Sequence, residues 1–515
     1  MTLLDGLILI GLILVFLGIG LFGPSRTETT ADYFLAGRKL KWHQIGFSLF
    51  ATNFSASALI GITGAAYVIG IAIYNYEWVG ILAMAFFAIV MVGVVRGSRI
   101  YTIAEYLTER YDERIKTYYS IFIILLLVFI DMAASLYAGG LLLGQFIPDL
   151  SPHLLIVFIV LLAGLYSVVG GMTAISRTDF YQSIVLLLGA SCIAWFAFSR
   201  VGGFSNFLAN APEGSLNLIR GLDDRAVPWT GLLTGVPIIA AYYWLVNQNM
   251  VQWVLSAEDQ TQARRGLLMA GALKTLCLFI IVLPGIAAIS FLPGLTEPDR
   301  IYPAMLVELL PAGILGLVLA GFVSALMSNT DSTLHAASTL ITMDFVRKKY
   351  PDISARSLVK IGRFTTLVVI SVSALWAPMI GRFGTLFEYV QGFLSYAVAP
   401  FVVVYLGGMF WSRATSKGAV CALFTGLTSA ALIGILGDGF DLFDIHYLHV
   451  PLPISCISLL ALITVSYATP SPQVDPRLLW SATRSLEATQ KNLRLDTKIA
   501  LCMVTLTVLI VLFFR

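Results

Sequence analysis

Long apolar runs alternate with short polar segments along the whole chain. An apolar run of about 20 residues can cross a bilayer as a helix. Such runs lie near residues 4–22, 45–72, 78–95, 117–147, 153–171, 181–199, 230–254, 268–292, 309–343, 362–381, 386–408, 418–436, 450–467 and 498–514. The pattern predicts an all-α polytopic membrane protein with about 14 transmembrane helices.

Composition and charge agree with a membrane protein. Of the 515 residues, 58% are hydrophobic and 12% are charged, whereas about 25% are charged in soluble domains. Most of the 32 Lys and Arg residues fall in alternate loops, which places those loops in the cytoplasm and both termini outside. Because no positive residue precedes the first run, we expect it to be a transmembrane helix rather than a cleaved signal.

The connecting segments are short. The longest, near residues 200–229 and 468–497, are too small for an additional enzymatic domain. The five cysteines show no CxxC spacing and therefore indicate neither disulfides nor a metal. One loop contains acids and histidines that we interpret as a hydrated external turn, with a divalent metal site as the alternative. They are Asp438, Asp441, Asp444, His446 and His449.

Five charged residues lie at membrane depth, namely Glu77, Asp131, Asp179, Lys274 and Asp331. Each costs about 2.5–3.5 kcal/mol at the centre of a membrane helix unless it faces a cavity or a partner. Structural ion pairs and helix ends at the interface are the alternatives to a functional role. The number of such residues favours a pathway for a polar solute or an ion.

A polar stripe runs along the apolar segment 309–343. Its members recur at intervals of three and four residues, which places them on one helical face. They are Ser324, Ser328, Asp331, His335, Ser338 and Thr342. Hydroxyl and carboxylate oxygens suit a hard monovalent cation or a proton, and a lone His on such a face indicates hydrogen bonding rather than zinc. The stripe therefore predicts a cation pathway.

Two further spans have small, polar and aromatic residues in mid-membrane. These stretches are FATNFSASALIG (50–61) and AAYYWLVNQN (240–249), and they begin the second and seventh spans. Interrupted helices at matching positions in two halves are typical of transporter binding sites, because unwound carbonyls and helix ends can bind ions and solutes.

Several motifs occur in the order found in one known family. They are ADYFLAGRKLKW (31–42), YEW (76–78), YTIAEYLTERY (101–111), GGMTAISRTDFYQ (170–182), YYWLVNQNMVQ (242–252), STLITMDF (338–345), FEYVQGFLSY (387–396) and GGMFWSRATSKGA (407–419). In these the chain resembles the sodium/solute symporters, and within them the sodium/glucose cotransporter branch.

The resemblance implies a LeuT-type fold with two inverted five-helix repeats. The corresponding segments are a leading helix and first cytoplasmic loop (1–44), a first repeat (45–200), an extracellular loop (201–229), a second repeat (230–408) and three additional helices (409–515).

The resemblance also implies a sugar site. Glu77, Lys274 and Gln391 match its polar contacts, and such groups can satisfy the hydroxyls of a polyol in a dry cavity. Asn53, Tyr243 and Trp244 complete the expected substrate residues, and Ile62, Tyr76 and Phe387 match the outer gate. Three polar contacts of a bacterial galactose carrier are replaced here by Ala58, Gly80 and Ala240, which leaves the identity of the solute open.

For sodium, the resemblance implies a site formed by Ala51, Phe54, Ala325, Ser328 and Asn329. Asn329 replaces a hydroxyl residue, but its amide oxygen can still bind sodium. Asp179, Asp331 and Ser332 lie where some relatives bind a second sodium. The alternative is that Asp331 pairs with an arginine such as Arg177.

These observations predict a sodium-coupled symporter that imports a monosaccharide or similar polyol. No GxSxG or HExxH motif supports a membrane enzyme, no signalling domain supports a sensor, and the three predicted sugar contacts would have no role in a channel. A sodium symporter for an amino acid, carboxylate or other small organic solute remains the alternative, because Lys274 suits a carboxylate.

We expect a monomer in the plasma membrane, or the inner membrane of a bacterium, without a cofactor or nucleic-acid partner.

Overall fold

The computed structural model describes residues 1–22, 29–147, 149–150, 152–436, 445–481 and 491–515. Within these ranges the secondary structure is helical. Two isolated β-bridges also occur there, between Leu40 and Ala257 and between Arg220 and Pro228. Asp438, Asp441 and Asp444 of the suggested metal loop lie outside the described residues. The predicted all-α class is confirmed.

The α-helices span Leu3–Phe22, Thr30–Leu35, Trp42–Asn53, Ala56–Ile69, Tyr74–Phe86, Val92–Gly97, Ile103–Arg110, Glu113–Leu126, Ala133–Phe146, Pro152–Arg200, Phe204–Asn210, Trp229–Thr234 and Val236–Ala241. They continue with Gln248–Leu255, Gln260–Thr275, Leu283–Phe291, Ile301–Leu309, Ile314–Thr339, Arg347–Lys349, Ala355–Trp376, Leu386–Ala397, Ala399–Phe410, Ser416–Gly434, Pro451–Tyr467 and Lys491–Phe513. Short π-helical segments interrupt several of them, at Phe87–Met91, Leu127–Met132, Tyr242–Val246, Leu278–Val282 and Leu340–Val346.

Among the described residues, 11 helices are long and apolar enough to cross a membrane, or 12 if the bent pair from Leu386 to Phe410 is one span. The predicted count of fourteen is not confirmed. One reason is that Ala56–Gly97 runs as a single candidate across two predicted spans. These two parts are joined at Gly70, whose φ of +67° and contact with the Ser215 carbonyl leave no room for a side chain.

Both predicted interruptions are present. The first broken helix consists of Trp42–Asn53 and Ala56–Ile69, and the two parts are separated at Phe54, whose ψ is +55°. The second broken helix runs from Val236 to Leu255 and breaks at Asn247, whose ψ is +121°. Each break leaves backbone groups of the adjoining turns without helical partners, so these groups are available to a ligand.

The helix Ile314–Thr339, here called the central helix, is buried almost along its whole length. Its N-terminus is fixed by the first helix of the chain, because Asp5 Oδ1 accepts hydrogen bonds from the backbone N–H groups of Gly313 (2.7 Å) and Gly316 (3.0 Å). A carboxylate at a helix N-terminus satisfies free donors and stabilises the helix dipole. The leading helix therefore anchors the helix that carries the polar stripe.

Arg110 closes the C-terminal end of the helix Ala399–Phe410. Its guanidinium donates to the carbonyl oxygens of Gly408 (2.6 Å), Trp411 (2.8 Å) and Ala414 (3.0 Å). The residue is 4% exposed, and carbonyls at a helix end have no partner within the helix. One side chain thus joins two distant parts of the chain.

We predict that Arg110→Met destabilises the protein, because each buried carbonyl left without a donor costs about 1–3 kcal/mol. The matched control is Arg114→Met, since Arg114 is exposed and bonded to its neighbour Asp112, and an exposed pair contributes about 0–1 kcal/mol. Thermal unfolding of the detergent-purified variants should give a clearly lower Tm for the Arg110 variant only. Equal melting temperatures would contradict a structural role for Arg110.

Candidate solute and sodium sites

A cavity of about 1090 Å³, with the open space at its mouth included, lies at the two helix breaks. We call it the central cavity. All nine residues predicted for the solute and the outer gate line it, namely Asn53, Ile62, Tyr76, Glu77, Tyr243, Trp244, Lys274, Phe387 and Gln391. A large enclosed site with a few convergent polar groups is typical of small-molecule binding.

Lys274 is the centre of the polar contacts in this cavity. Its Nζ lies 2.5 Å from Glu77 Oε2 and 2.5 Å from Asn53 Oδ1. It also lies 5.4 Å from the ring centroid of Trp244, within the range of a cation–π contact. Lys274 is 3% exposed and Glu77 is 7% exposed. Lys274 and Glu77 therefore form the buried ion pair that was the alternative to a functional role. The same two residues also line the cavity.

Gln391 contributes an acceptor that the protein does not satisfy. Its Oε1 is buried and forms no hydrogen bond with the described residues. Buried polar atoms are nearly always paired in proteins, so an unpaired one in a binding cavity indicates a position for a ligand donor.

The three positions that lack the galactose carrier's polar groups lie at the cavity as well. Ala58 and Ala240 line it. At Gly80, a Cβ atom would come within 2.7 Å of Trp244 Nε1 and 3.1 Å of Lys274 Cε. Gly80 therefore makes room for the packing of Trp244 on Lys274, which the sequence pattern did not reveal.

Two of the predicted gate residues, Tyr76 and Phe387, pack against each other in the lining of the cavity. The rings of Tyr76 and Phe387 meet edge to face with centroids 5.1 Å apart, and the Tyr76 hydroxyl lies 2.8 Å from the hydroxyl of Tyr447. The helix Leu386–Ala397, which carries Phe387, is held at its N-terminus by Asp299, whose Oδ2 accepts from the Leu386 N–H at 2.9 Å. Aromatic packing and one cap thus position these two side chains.

The elements of the predicted sodium site come together at the first helix break. Ala51 and Phe54 belong to the interrupted turn, and the Thr52 hydroxyl lies 3.0 Å from the Ser332 hydroxyl of the central helix. Asn329 donates through Nδ2 to Ser135 Oγ at 2.5 Å, which leaves its amide oxygen as an acceptor. Ala325 and Ser328 are buried on the same helix.

Asp179, one of the residues predicted for a second cation site, lies beside Ser328 of the central helix. The Asp179 carboxylate interacts with the side chains of Ser328 and Ser48, yet none of these three fully buried groups forms a hydrogen bond of regular geometry. Such under-satisfied oxygens are those that a cation can use. Asp331 lies buried one turn from Ser328 on the central helix.

Three of the histidines, His335, His446 and His449, have structural partners. His335 lies 3.4 Å from the carbonyl of Phe34 and packs against two aromatic rings, as expected for a hydrogen-bonding residue. His449 contacts the Thr230 hydroxyl, and His446 contacts the carbonyl of Arg225. Across the described ranges, no three His, Cys, Asp or Glu residues form a group that could hold a metal ion.

Sequence reasoning missed one charged residue of the cavity. Asp131 was recognised as a charge at membrane depth, but its place was not predicted. It lines the central cavity from a π-helical turn, Leu127–Met132. In the sequence only the charge of Asp131 indicates a functional position, because a π-turn has no recognisable sequence pattern.

Known proteins resemble the chain over most of its length. It is 32% identical to the sodium/myo-inositol cotransporter 2 of Sus scrofa over 92% of this chain and 78% of that protein. It is 32% identical to the sodium/glucose cotransporter of Vibrio parahaemolyticus over 81% of this chain and 83% of that protein.

The fold also matches a solved structure, that of a Na⁺-coupled sialic acid symporter in a substrate-bound outward-open state. The TM-score is 0.80 over 92% of this chain and 99% of that chain, with 21% sequence identity. The expected LeuT-type transporter fold is thereby confirmed. The model of the sodium:solute symporter family matches residues 33–426. The chain belongs to the sodium:solute symporter family.

Proposed function

We propose that the protein is a sodium-coupled symporter that imports a monosaccharide or similar polyol by alternating access. The observation that carries this proposal is the central cavity, where the buried Lys274–Glu77 pair, its partner Asn53 and the unpaired Gln391 Oε1 meet at two helix breaks. Donors and acceptors in this arrangement match the hydroxyls of a polyol. Relatives named for myo-inositol and glucose transport agree with it.

The geometry favours a polyol over an amino acid or a carboxylate. A free Lys274 would suit an anionic solute, but its charge is opposed by Glu77 at 2.5 Å. A solute carboxylate would have to displace Glu77, which would leave a second buried charge without a partner. Neutral hydroxyls can instead bond to the pair without separating it.

We further propose that Ala51, Phe54, Ala325, Ser328 and Asn329 bind the coupling sodium, and that Asp179, Asp331 and Ser332 form a second cation site. The first break and the under-satisfied Asp179 support these assignments. The proposal includes fourteen spans, both termini outside, and inverted repeats at residues 45–200 and 230–408, in a monomer of the plasma membrane.

Sodium should drive uptake. One sodium ion moving down about 100 mV releases about 2.3 kcal/mol, and a tenfold gradient adds about 1.4 kcal/mol, so a neutral solute can be concentrated several hundredfold. Uptake of labelled myo-inositol, glucose and glucosamine into proteoliposomes should require external sodium and increase with an inside-negative potential. Equal uptake with choline in place of sodium, in vesicles without a proton gradient, would refute sodium coupling.

The polar contacts of the cavity should determine affinity. We expect Gln391→Ala to weaken the apparent affinity for the transported solute tenfold or more, because a lost bond to a buried partner costs about 1–3 kcal/mol. Sodium binding should persist. Gln145→Ala, at an exposed position on another helix, serves as the control. Unchanged affinity in the Gln391 variant would place the solute elsewhere.

The second cation site predicts the sodium stoichiometry. Two nearby carboxylates repel each other when the site is empty, so a bound cation or a shared proton is favoured. Uptake measured against sodium concentration at fixed pH should give a Hill coefficient near two that falls to about one in Asp331→Ala. The exposed Asp352→Ala is the control. A coefficient of one that neither mutation nor pH changes would make Asp331 a structural residue.

A further inference from the structure

The central cavity is lined by more acidic than basic side chains. Its charged lining residues are Glu77, Asp131 and Lys274. Lys274 and Glu77 form a close ion pair, so the pair is neutral as a unit. Asp131 remains as one carboxylate without a cationic partner among the described residues.

The fold holds Asp131 in a fixed position. It lies at the end of the π-helical turn Leu127–Met132, and π-turns shift side chains out of regular helical register. Two carbonyls of this turn bond to neighbouring helices, since Ser373 Oγ donates to Val128 O at 2.8 Å and Tyr389 Oη donates to Phe129 O at 2.7 Å. Hydrogen bonds from two other helices thus hold this turn in place.

The contacts of Asp131 itself are weak. Its one hydrogen bond among the described residues comes from Asn247, whose Nδ2 lies 3.4 Å from Asp131 Oδ2. Asn247 Oδ1 already accepts from the Asn249 N–H at 2.9 Å, which fixes the amide so that its nitrogen faces the carboxylate. A single long bond from a neutral amide satisfies little of the hydrogen-bonding capacity of a carboxylate.

From this arrangement we infer that the central cavity selects a solute that carries a protonated amine as well as hydroxyl groups, with the amine bound at Asp131. This inference rests on the proposed symport of polyols and specifies its solute class as an amino sugar or aminocyclitol. A cation beside Asp131 would form a charge-assisted bond, which is stronger than a bond to a neutral hydroxyl. The neutral pair Lys274–Glu77 and Gln391 would bind the hydroxyls.

The test compares D-glucose with D-glucosamine, which differ by one amine in place of one hydroxyl. Uptake into proteoliposomes with an inward sodium gradient should be measured at about pH 7, where most of an amine of this type is protonated. The unmodified protein should show an apparent affinity for glucosamine at least about tenfold higher than for glucose. Asp131→Asn keeps the size of the side chain and should reduce this preference to about threefold or less.

The control is Glu308→Gln, which removes an acid far from the cavity and should leave the preference unchanged. The comparison in the unmodified protein does not depend on the folding of any variant. Sodium-driven uptake of glucose with equal or higher affinity than glucosamine would overturn the inference while the proposed symport stands. A preference for glucosamine that persists in a transport-active Asp131→Asn would also overturn it. If sodium drives uptake of neither sugar, nor of myo-inositol, the proposed function itself fails.

Discussion

The buried ion pair of Lys274 and Glu77, together with Asn53, holds the central part of the structure together. These three residues come from three separate helices, and one of them is the last residue of the first half of the first broken helix. Removing one partner of a buried ion pair costs about 3–5 kcal/mol, because the other charge is left alone. Since a membrane interior increases that penalty, the three residues fix the positions of these helices and thereby the shape of the cavity.

The first helix break connects the solute cavity with the proposed sodium site through adjacent residues. Asn53 bonds to Lys274 in the cavity, while Thr52 contacts Ser332 on the central helix. Phe54, at the break itself, lines the cavity and is proposed to supply a carbonyl to sodium. A change in the geometry of this short turn affects both sites, which gives a physical route for thermodynamic coupling between ion and solute.

The sequence predicted those features that conflict with a lipid environment. Polar and aromatic residues in mid-membrane correctly located the breaks at Phe54 and Asn247, and charges at depth identified Glu77, Lys274 and Asp131. The polar stripe was less informative, because a helical face does not reveal hydrogen-bond partners. Ser324 and Ser338 donate to the carbonyls of Ala320 and Gly362, so these two members of the stripe have structural partners. The Ser328 hydroxyl, in contrast, forms no hydrogen bond of regular geometry within the described ranges.

Other features depend on contacts between distant segments and could not be read from local patterns. Arg110 appeared in a recognisable motif, but its bonds to three carbonyls some 300 residues away depend on the tertiary fold. The role of Gly80 becomes visible only when Trp244 and Lys274 are in place. The turn at Gly70 is a further example, because hydropathy shows only two apolar runs between Ala56 and Gly97, whereas the close approach of Gly70 to the Ser215 carbonyl appears only in the fold.

Equilibrium binding to the purified protein tests the central claim most directly, since it separates coupling from transport. Binding of labelled glucose, glucosamine and myo-inositol should be measured in sodium and in choline media at equal ionic strength. If the first helix break couples the two sites, sodium should tighten binding of the transported solute by about tenfold, and the solute should tighten sodium binding by the same factor. Equal solute affinities in the two media would contradict the account.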